Sequence, residues 1–337
     1  MRKRSLINRM IFRCRHVIDF LSDRFLYFCV SSSDSAWKAQ AKSSCLKFVL
    51  RGRKLVAFFG ECHMYMYTEL LSWNPAFRKK YLPMGAASIG ALVKKYGSIM
   101  YRKDTWNKVD VLIYNPNVRE PKGGLTTGQV LAWLPEDAKR IEVTNAAFKG
   151  YMPQHTERVF PNKGYFNWGD KNLNALLKAN HIDEAAVSAL GGDDFYQADY
   201  VTSFFEKSLK QMRLSERECA VKIADYVEEH GRERALYHSV THPKPELMLE
   251  LTARIACALG LDKTCLGPRA GTEVEYLDVG SHGELVYPSV WKALGIREGS
   301  WETRTIQPGN YLEEYTFWQY VKEYLRMGRE NMNMEEP

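Results

Sequence analysis

The stretch KLVAFFGECHMYMYTELL, residues 54–71, changes character twice. LVAFF (55–59) is a short continuous apolar run, the pattern of a strand buried on both faces. HMYMYTELLSW then places Met64, Tyr67, Leu70 and Leu71 at helical spacing, and Pro75 lies where it would end the helix. Between the two patterns stand Gly60, Glu61 and Cys62. On this reading Cys62 sits at the carboxyl end of a strand and the amino end of a helix. Unpaired amide hydrogens and the helix dipole favour negative charge there. A thiol in that setting ionises more readily and becomes a better nucleophile. Gly60 permits the tight turn. The same amides also suit a phosphate or an oxyanion, and a cysteine at a helix start also packs as a small apolar residue. Position alone leaves these open.

Outward from this stretch the alternation continues. AASIGALVKKYG (86–97) reads as a helix, VDVLIYNPN (109–117) as a buried strand ending in a polar turn, TTGQVLAWLP (126–135) as a short helix and KRIEVTN (139–145) as a third strand. A long aromatic segment punctuated by Gly and Pro follows over 146–172, and long irregular segments of this kind are usually functional. Helical patterns fill 172–190 and most of 198–230. RALYHSV (234–240) reads as a fourth strand, and a helix starts after Pro243 and Pro245, prolines being tolerated in a first turn. NYLEEYTFWQYVKEYLRMG (310–328) reads as a final helix. The expected fold is therefore α/β: a mainly parallel sheet with helices on both faces, SGNH- or flavodoxin-like layering, and a helix-rich C-terminal part. One domain is expected over 49–330, preceded by a basic helical extension and Ser-rich linker over 1–48.

The strand ends supply the candidate residues. Asn115 ends the second strand. His242 follows the fourth strand in SVTHP, so the pattern places it at the same sheet edge as Cys62, the arrangement that nucleophile–base pairs use; a capping or core histidine is the alternative. His63 and Glu61 flank Cys62, but neighbouring side chains on a helix diverge. Ser239, Thr241 and Asn115 could orient a base or donate to an oxyanion, and His238 reads as structural. In the long loop, Lys149, Tyr151, Gln154, His155, Lys163, Tyr165 and Trp168 offer cations and rings suited to a nucleotide-bearing ligand, or else pack the loop on the core.

Bulk properties narrow the field without choosing. The chain has 337 residues and a formal net charge of +7, part of it local: six Lys and Arg fall in the first sixteen residues. The seven cysteines are odd in number and form no CxxC pair, so reduced thiols in a cytoplasmic protein are expected. GxGxxG, GxxxxGK[ST] and GxSxG are absent, and no His/Cys/Asp cluster has metal spacing. No metal and no nucleic-acid partner are expected. No apolar run reaches spanning length. The basic N-terminus leaves peripheral contact at the inner face of the membrane, or with glycan assembly machinery, as an expectation.

The ordered set of motifs resembles the WcbI-type polysaccharide biosynthesis family, acetyltransferases of capsule assembly that bind coenzyme A. The family opens with a strand, Gly-Asn-Cys-Gln and a helix, matched here by Gly60-Glu61-Cys62-His63. DVLIYNPN matches its second strand and turn, and RIEVTNAAFKGYMPQ its third strand and Gly-Tyr-hydrophobic-Pro segment. LSERECAVKIADYV matches an acidic-Arg-Glu helical stretch, and LYHSVTHPKPELM a His-Pro after a strand. Asn and Gln of the opening motif are Glu61 and His63 here. The resemblance implies acetyl transfer from acetyl-CoA to a sugar hydroxyl. Cys62, His242 and His63 would then be catalytic, and Gly60, Glu61, Asn115, Tyr151, His155, Lys163 and Tyr165 would line the coenzyme. Two other readings stay open: an SGNH-like esterase with a cysteine nucleophile, and a non-catalytic binding protein of a glycan assembly system.

Overall fold

In the computed structural model the described residues are 52–61, 63–84, 103–116, 125–157, 166, 168–179, 183–262, 283–297, 303–307 and 311–333. The extension over 1–48 and the helix expected at 86–97 lie outside them. The chain forms two compact units interleaved along the sequence. The described part of the first comprises segments within 52–145 together with 219–221 and 252–262; that of the second comprises segments within 146–218, 222–251 and 283–333.

The first unit is built on β1 (Lys54–Phe59). After it come α1 (His63–Trp73), α2 (Pro75–Lys80), β2 (Tyr81–Pro83), α3 (Lys103–Trp106), β3 (Val111–Tyr114), α4 (Thr127–Trp133) and β4 (Lys139–Glu142). The strands form one parallel sheet in the order β2-β1-β3-β4. Leu55, Ala57 and Phe59 pack with Trp106, Val109, Val130 and Leu134. Val56 and Phe58, which alternation sends to the other face, are equally buried. Burial on both faces explains why β1 reads as an unbroken apolar run. β2 carries Pro83, which suits a sheet edge because no ladder donor is lost there. Past β4, Val143 bridges in parallel to Val221, so residues from far along the chain extend the sheet.

Local chemistry sets the helix starts. Asn74, wholly buried, accepts from the amides of Ala76 and Phe77 and caps α2, with Pro75 at its first position. Thr126 and Gln129 form a reciprocal capping box on α4. At the amino end of the sheet, Asp110 accepts from the Leu55 amide at 2.6 Å, donates its own amide to Leu55 O, and gives its carbonyl to Lys139 N.

The second unit contains β5 (His155–Thr156), β6 (Gly169–Asp170), α5 (Lys171–Lys178), α6 (Glu184–Ala189), α7 (Ala198–Ser215), α8 (Ala224–His230), β7 (Tyr237–Ser239) and β8 (His242–Pro243). α9 (Pro245–Ala258) begins in it and ends in the first unit. α10 (Pro288–Leu294), β9 (Thr303–Gln307), β10 (Tyr311–Tyr315) and α11 (Phe317–Asn333) complete it. Its three strand pairs are all antiparallel. Phe148, Tyr151, Phe205 and Tyr237 form a cluster of tilted and edge-on rings, with centroid separations from 5.2 to 6.3 Å. Among the described residues no helix is long and apolar enough to cross a membrane.

Two expectations are corrected. The fourth strand is only Tyr237–Ser239, and it pairs antiparallel with His242–Pro243 rather than joining the parallel sheet. Its apolar residues Leu236, Tyr237 and Val240 are buried within the second unit instead. The last helix begins at Phe317, not near 310, because Thr316 and Gln319 exchange the hydrogen bonds of a capping box and Tyr311–Tyr315 is already committed to β10.

Asp170 caps α5 through the amides of Asn172 and Leu173 and accepts from Tyr287 Oη at 2.9 Å. Burial lifts its carboxyl to about 6, against the partial compensation of those hydrogen bonds. A raised folded value means the protonated form favours the fold. The stability this contributes is full below the unfolded value near 3.8 and is lost as pH rises through about 6. Asp170→Asn keeps a capping acceptor and cannot ionise. Its melting temperature relative to wild type should therefore climb between pH 4 and pH 7, by the equivalent of roughly 3 kcal/mol. A pH-independent difference in calorimetry would refute this account.

Candidate functional site

The carboxyl edge of the parallel sheet is held by one side chain. Asn115 is wholly buried. Its Nδ2 donates to Val143 O at 2.9 Å and Thr144 O at 3.1 Å, and its Oδ1 accepts the Glu61 amide at 3.0 Å. Its own amide donates to Phe59 O at 3.0 Å, and its carbonyl accepts Thr127 Oγ1 at 3.1 Å. Both amide hydrogens are therefore committed inside the fold. Asn115 acts on the site by shaping the Gly60–Glu61 turn. Gly60 is required by proximity: a Cβ there would lie 2.2 Å from Asn115 Oδ1.

Cys62 lies outside the described residues; its neighbours do not. Glu61 is exposed, and its carbonyl accepts the Met64 amide at 3.0 Å. His63 opens α1 and is buried at 6% exposure, its ring 5.6 Å from that of Tyr67. Beside this turn the in-register pair Tyr114 and Glu142 meet on one face of the sheet. Tyr114 Oη donates to Glu142 Oε2 at 2.9 Å, and Cys219 Sγ approaches Glu142 Oε1 at 3.7 Å. Burial, reinforced by Glu142, lifts the Tyr114 phenol to about 12, so it stays a donor. Glu142 and Cys219 were not among the sequence candidates. Aligning YNPN with EVTN would have paired Tyr114 with Glu142, but nothing local points to Cys219.

In the second unit His242 Nδ1 lies 2.6 Å from Ser239 Oγ and 3.4 Å from Thr241 Oγ1. Ser239 is wholly buried, which fixes the ring from one side. Val240, in the turn between them, donates its amide to Glu284 Oε2 at 3.2 Å and accepts the Phe148 amide at 2.8 Å. Tyr151 is wholly buried, with its hydroxyl bonded to Gly231 O and Arg234 O at 2.8 and 3.2 Å. Those are the contacts of a core residue. His155 Nδ1 lies 2.6 Å from Oε1 of Glu284, which the sequence did not single out. Lys149 is exposed. Lys163 and Tyr165 lie outside the described residues. His238 gives its carbonyl to the Glu284 amide at 2.7 Å. Among the described residues no group of three His, Cys, Asp or Glu side chains could hold a metal ion.

Two substitutions test the turn. Asn115→Asp replaces two donors with acceptors facing two buried carbonyls, and it should cost about 2–4 kcal/mol. Gly60→Ala forces the amide away and should cost about as much. The double variant should lose well under the sum in urea unfolding, because each change breaks the same bonds. Additive losses would show that Gly60 and Asn115 act independently.

A family model described as polysaccharide biosynthesis enzyme WcbI matches residues 98–264. That span contains Asn115, Tyr151, His155 and His242 but not Cys62. No curated protein matches the chain. Among solved structures, one described as WcbI, a novel polysaccharide biosynthesis enzyme, shares the fold at a TM-score of 0.64 and 16% identity, covering 84% of this chain and 93% of that one. That structure is described as a native form without a disulfide between coenzyme A and one of that protein's cysteines. The motif order and the family match agree: over residues 98–264 the chain belongs to the WcbI family of polysaccharide biosynthesis enzymes.

Proposed function

We propose that the protein is a coenzyme A-dependent acyltransferase that moves an acetyl group from acetyl-CoA to a sugar hydroxyl in polysaccharide biosynthesis. The observation that carries this reading is the Asn115-locked turn. It ends β1 with Gly60 and Glu61, at the carboxyl edge of a parallel sheet, immediately before Cys62 and the start of an eleven-residue helix. Open parallel sheets bind ligands at that edge, and the amides of a first helical turn stabilise a thiolate or an oxyanion. The related structure is described as a native form without a disulfide between coenzyme A and one of that protein's cysteines; naming the coenzyme beside a cysteine supports the same reading. The strand order β2-β1-β3-β4 supports SGNH- or flavodoxin-like layering.

In this mechanism the Cys62 thiolate attacks the thioester carbonyl carbon of acetyl-CoA. The carbon–sulfur bond to the coenzyme breaks, and the departing thiolate takes a proton, the role that the family resemblance gives to His242, whose ring Ser239 holds. The oxygen of a sugar hydroxyl then bonds to the acyl carbon, the carbon–sulfur bond to Cys62 breaks, and the hydroxyl proton ends on the departing sulfur, restoring the thiol. Exposed Lys149 suits the anionic coenzyme, as do Lys163 and Tyr165 by their chemistry. The reading places the enzyme in the cytoplasm, with the basic segment before residue 49 resting on the anionic inner face of the membrane.

Calorimetric titration with coenzyme A and acetyl-CoA, beside mass spectrometry of the protein, tests this. Wild type should bind in the micromolar range and form an acetyl adduct. Cys62→Ala should bind within about threefold of wild type, about 0.7 kcal/mol, and form none. His242→Ala should form it about 100-fold more slowly. Ester hydrolysis without coenzyme binding would replace this reading with the esterase one.

A further inference from the structure

The second unit holds a histidine–carboxylate pair that the mechanism above does not use. His155 Nδ1 lies 2.6 Å from Glu284 Oε1, and the two side chains are only 5% and 7% exposed. A carboxylate oxygen accepts from an Nδ1–H, and in that tautomer of the neutral ring the lone pair is on Nε2. Among the described residues Nε2 has no hydrogen-bond partner. Glu284 is itself anchored, through the Val240 amide on Oε2 and its own amide on His238 O. The ring therefore has a fixed direction. The Trp168 ring lies 5.1 Å away, and its buried Nε1–H has no acceptor among the described residues. The preceding residue, Gln154, is 2% exposed. Its Nε2 donates to Leu285 O, and its Oε1 has no donor.

This chemistry selects a ligand. A lone pair on imidazole needs a donor, and an indole N–H needs an acceptor. A hydroxyl is the simplest group that supplies both. The electrostatics oppose an anion. Glu284 touches the ring, and Asp170 is the cross-strand partner of His155, close enough for Glu284 to raise its carboxyl. Two carboxyl groups at one site disfavour a phosphate or pyrophosphate.

Resting on the acyl-transfer reading, we propose that His155 serves the neutral saccharide acceptor rather than the coenzyme. It takes the proton of the reacting hydroxyl, while Trp168 donates its indole N–H to an oxygen of the same sugar. As the hydroxyl oxygen bonds to the acyl carbon, its proton passes to Nε2. The carbon–sulfur bond of the acyl thioester breaks, and the imidazolium returns the proton to the departing thiolate. Glu284 is a positioning residue, acting through the ring it holds.

Histidine-ring ¹⁵N NMR of the full chain at pH 7.5 reads the first requirement. The His155 resonances, assigned by their loss in His155→Gln, should show the proton on Nδ1, and Glu284→Gln should redistribute it between the two nitrogens. A proton on Nε2 in wild type overturns the proposal. Calorimetry reads the second. His155→Gln should bind coenzyme A within about twofold of wild type, yet transfer acetyl from acetyl-CoA to methanol, the simplest hydroxyl, about 100-fold more slowly. Tenfold weaker coenzyme binding, or unchanged transfer, overturns this assignment alone. A wild type that binds no coenzyme overturns the parent reading, and the acceptor assignment falls with it.

Discussion

One primary amide decides the shape of the sheet's carboxyl edge. β1, β3 and β4 end side by side, and just beyond them the Glu61 amide and the Val143 and Thr144 carbonyls need partners. Asn115 answers with two donors for the Val143 and Thr144 carbonyls and one acceptor for the Glu61 amide. Aspartate has the acceptor but not the donors. Glutamine adds a methylene where Gly60 already presses on the amide. An apolar residue would leave all three groups unpaired in a buried place, at a desolvation cost of about 1–3 kcal/mol each. At the other end Asp110 performs the converse task on Leu55 and Lys139. The apolar strand between these two residues is thus fixed in register at both ends.

The second unit relies on the same economy of polar groups with different partners. Tyr151 sends its hydroxyl to carbonyls on the loop after α8, and Asp170 joins the start of α5 to Tyr287. Glu216 accepts from the amides of Ile223 and Ala224, closing the turn between α7 and α8. Each is a buried polar group whose partners come from distant sequence. Such groups add little net stability when satisfied and cost much when one partner is lost. Their effect is to hold loops in one arrangement, and the loops so held carry His155, Trp168 and His242.

This explains which features could be read from sequence. β1, β3, β4, α1 and α4 are legible because their burial is written in local apolar periodicity. Thr126-x-x-Gln129 and Thr316-x-x-Gln319 are legible caps, though only the first lay beside a clean helical pattern. β2 is three residues with a proline and carries no period to detect. Val221 joins the sheet through a single bridge, which no pattern announces. Tyr237–Ser239 has a strand's composition, but its partner, two residues after a two-residue turn, is held by the Ser239–His242 and Val240–Glu284 contacts, which apolar periodicity does not encode. The candidate site divides in the same way. Asn115 directly follows a strand with a clear apolar pattern, and that made it visible. Glu284 was not, because its significance is a contact with His155 across 129 residues.

The departures from the family's opening motif now have a physical context. Where the family has asparagine, this chain has Glu61, which contributes its peptide group to the turn: the amide goes to Asn115 and the carbonyl to Met64, while the side chain is exposed. A change of side chain there leaves the turn intact, and a carboxylate just before a helix start interacts favourably with the helix dipole. His63 replaces glutamine at a buried position and packs its ring on Tyr67, one helical turn along α1. The geometry leading to Cys62 depends on Gly60 and Asn115, and both are present. What the two substitutions alter is the charge and the hydrogen-bonding character around the cysteine. That distinction separates scaffold from chemistry: the backbone turn rests on one glycine and one buried amide, while the side chains of residues 61 and 63 can change without breaking it.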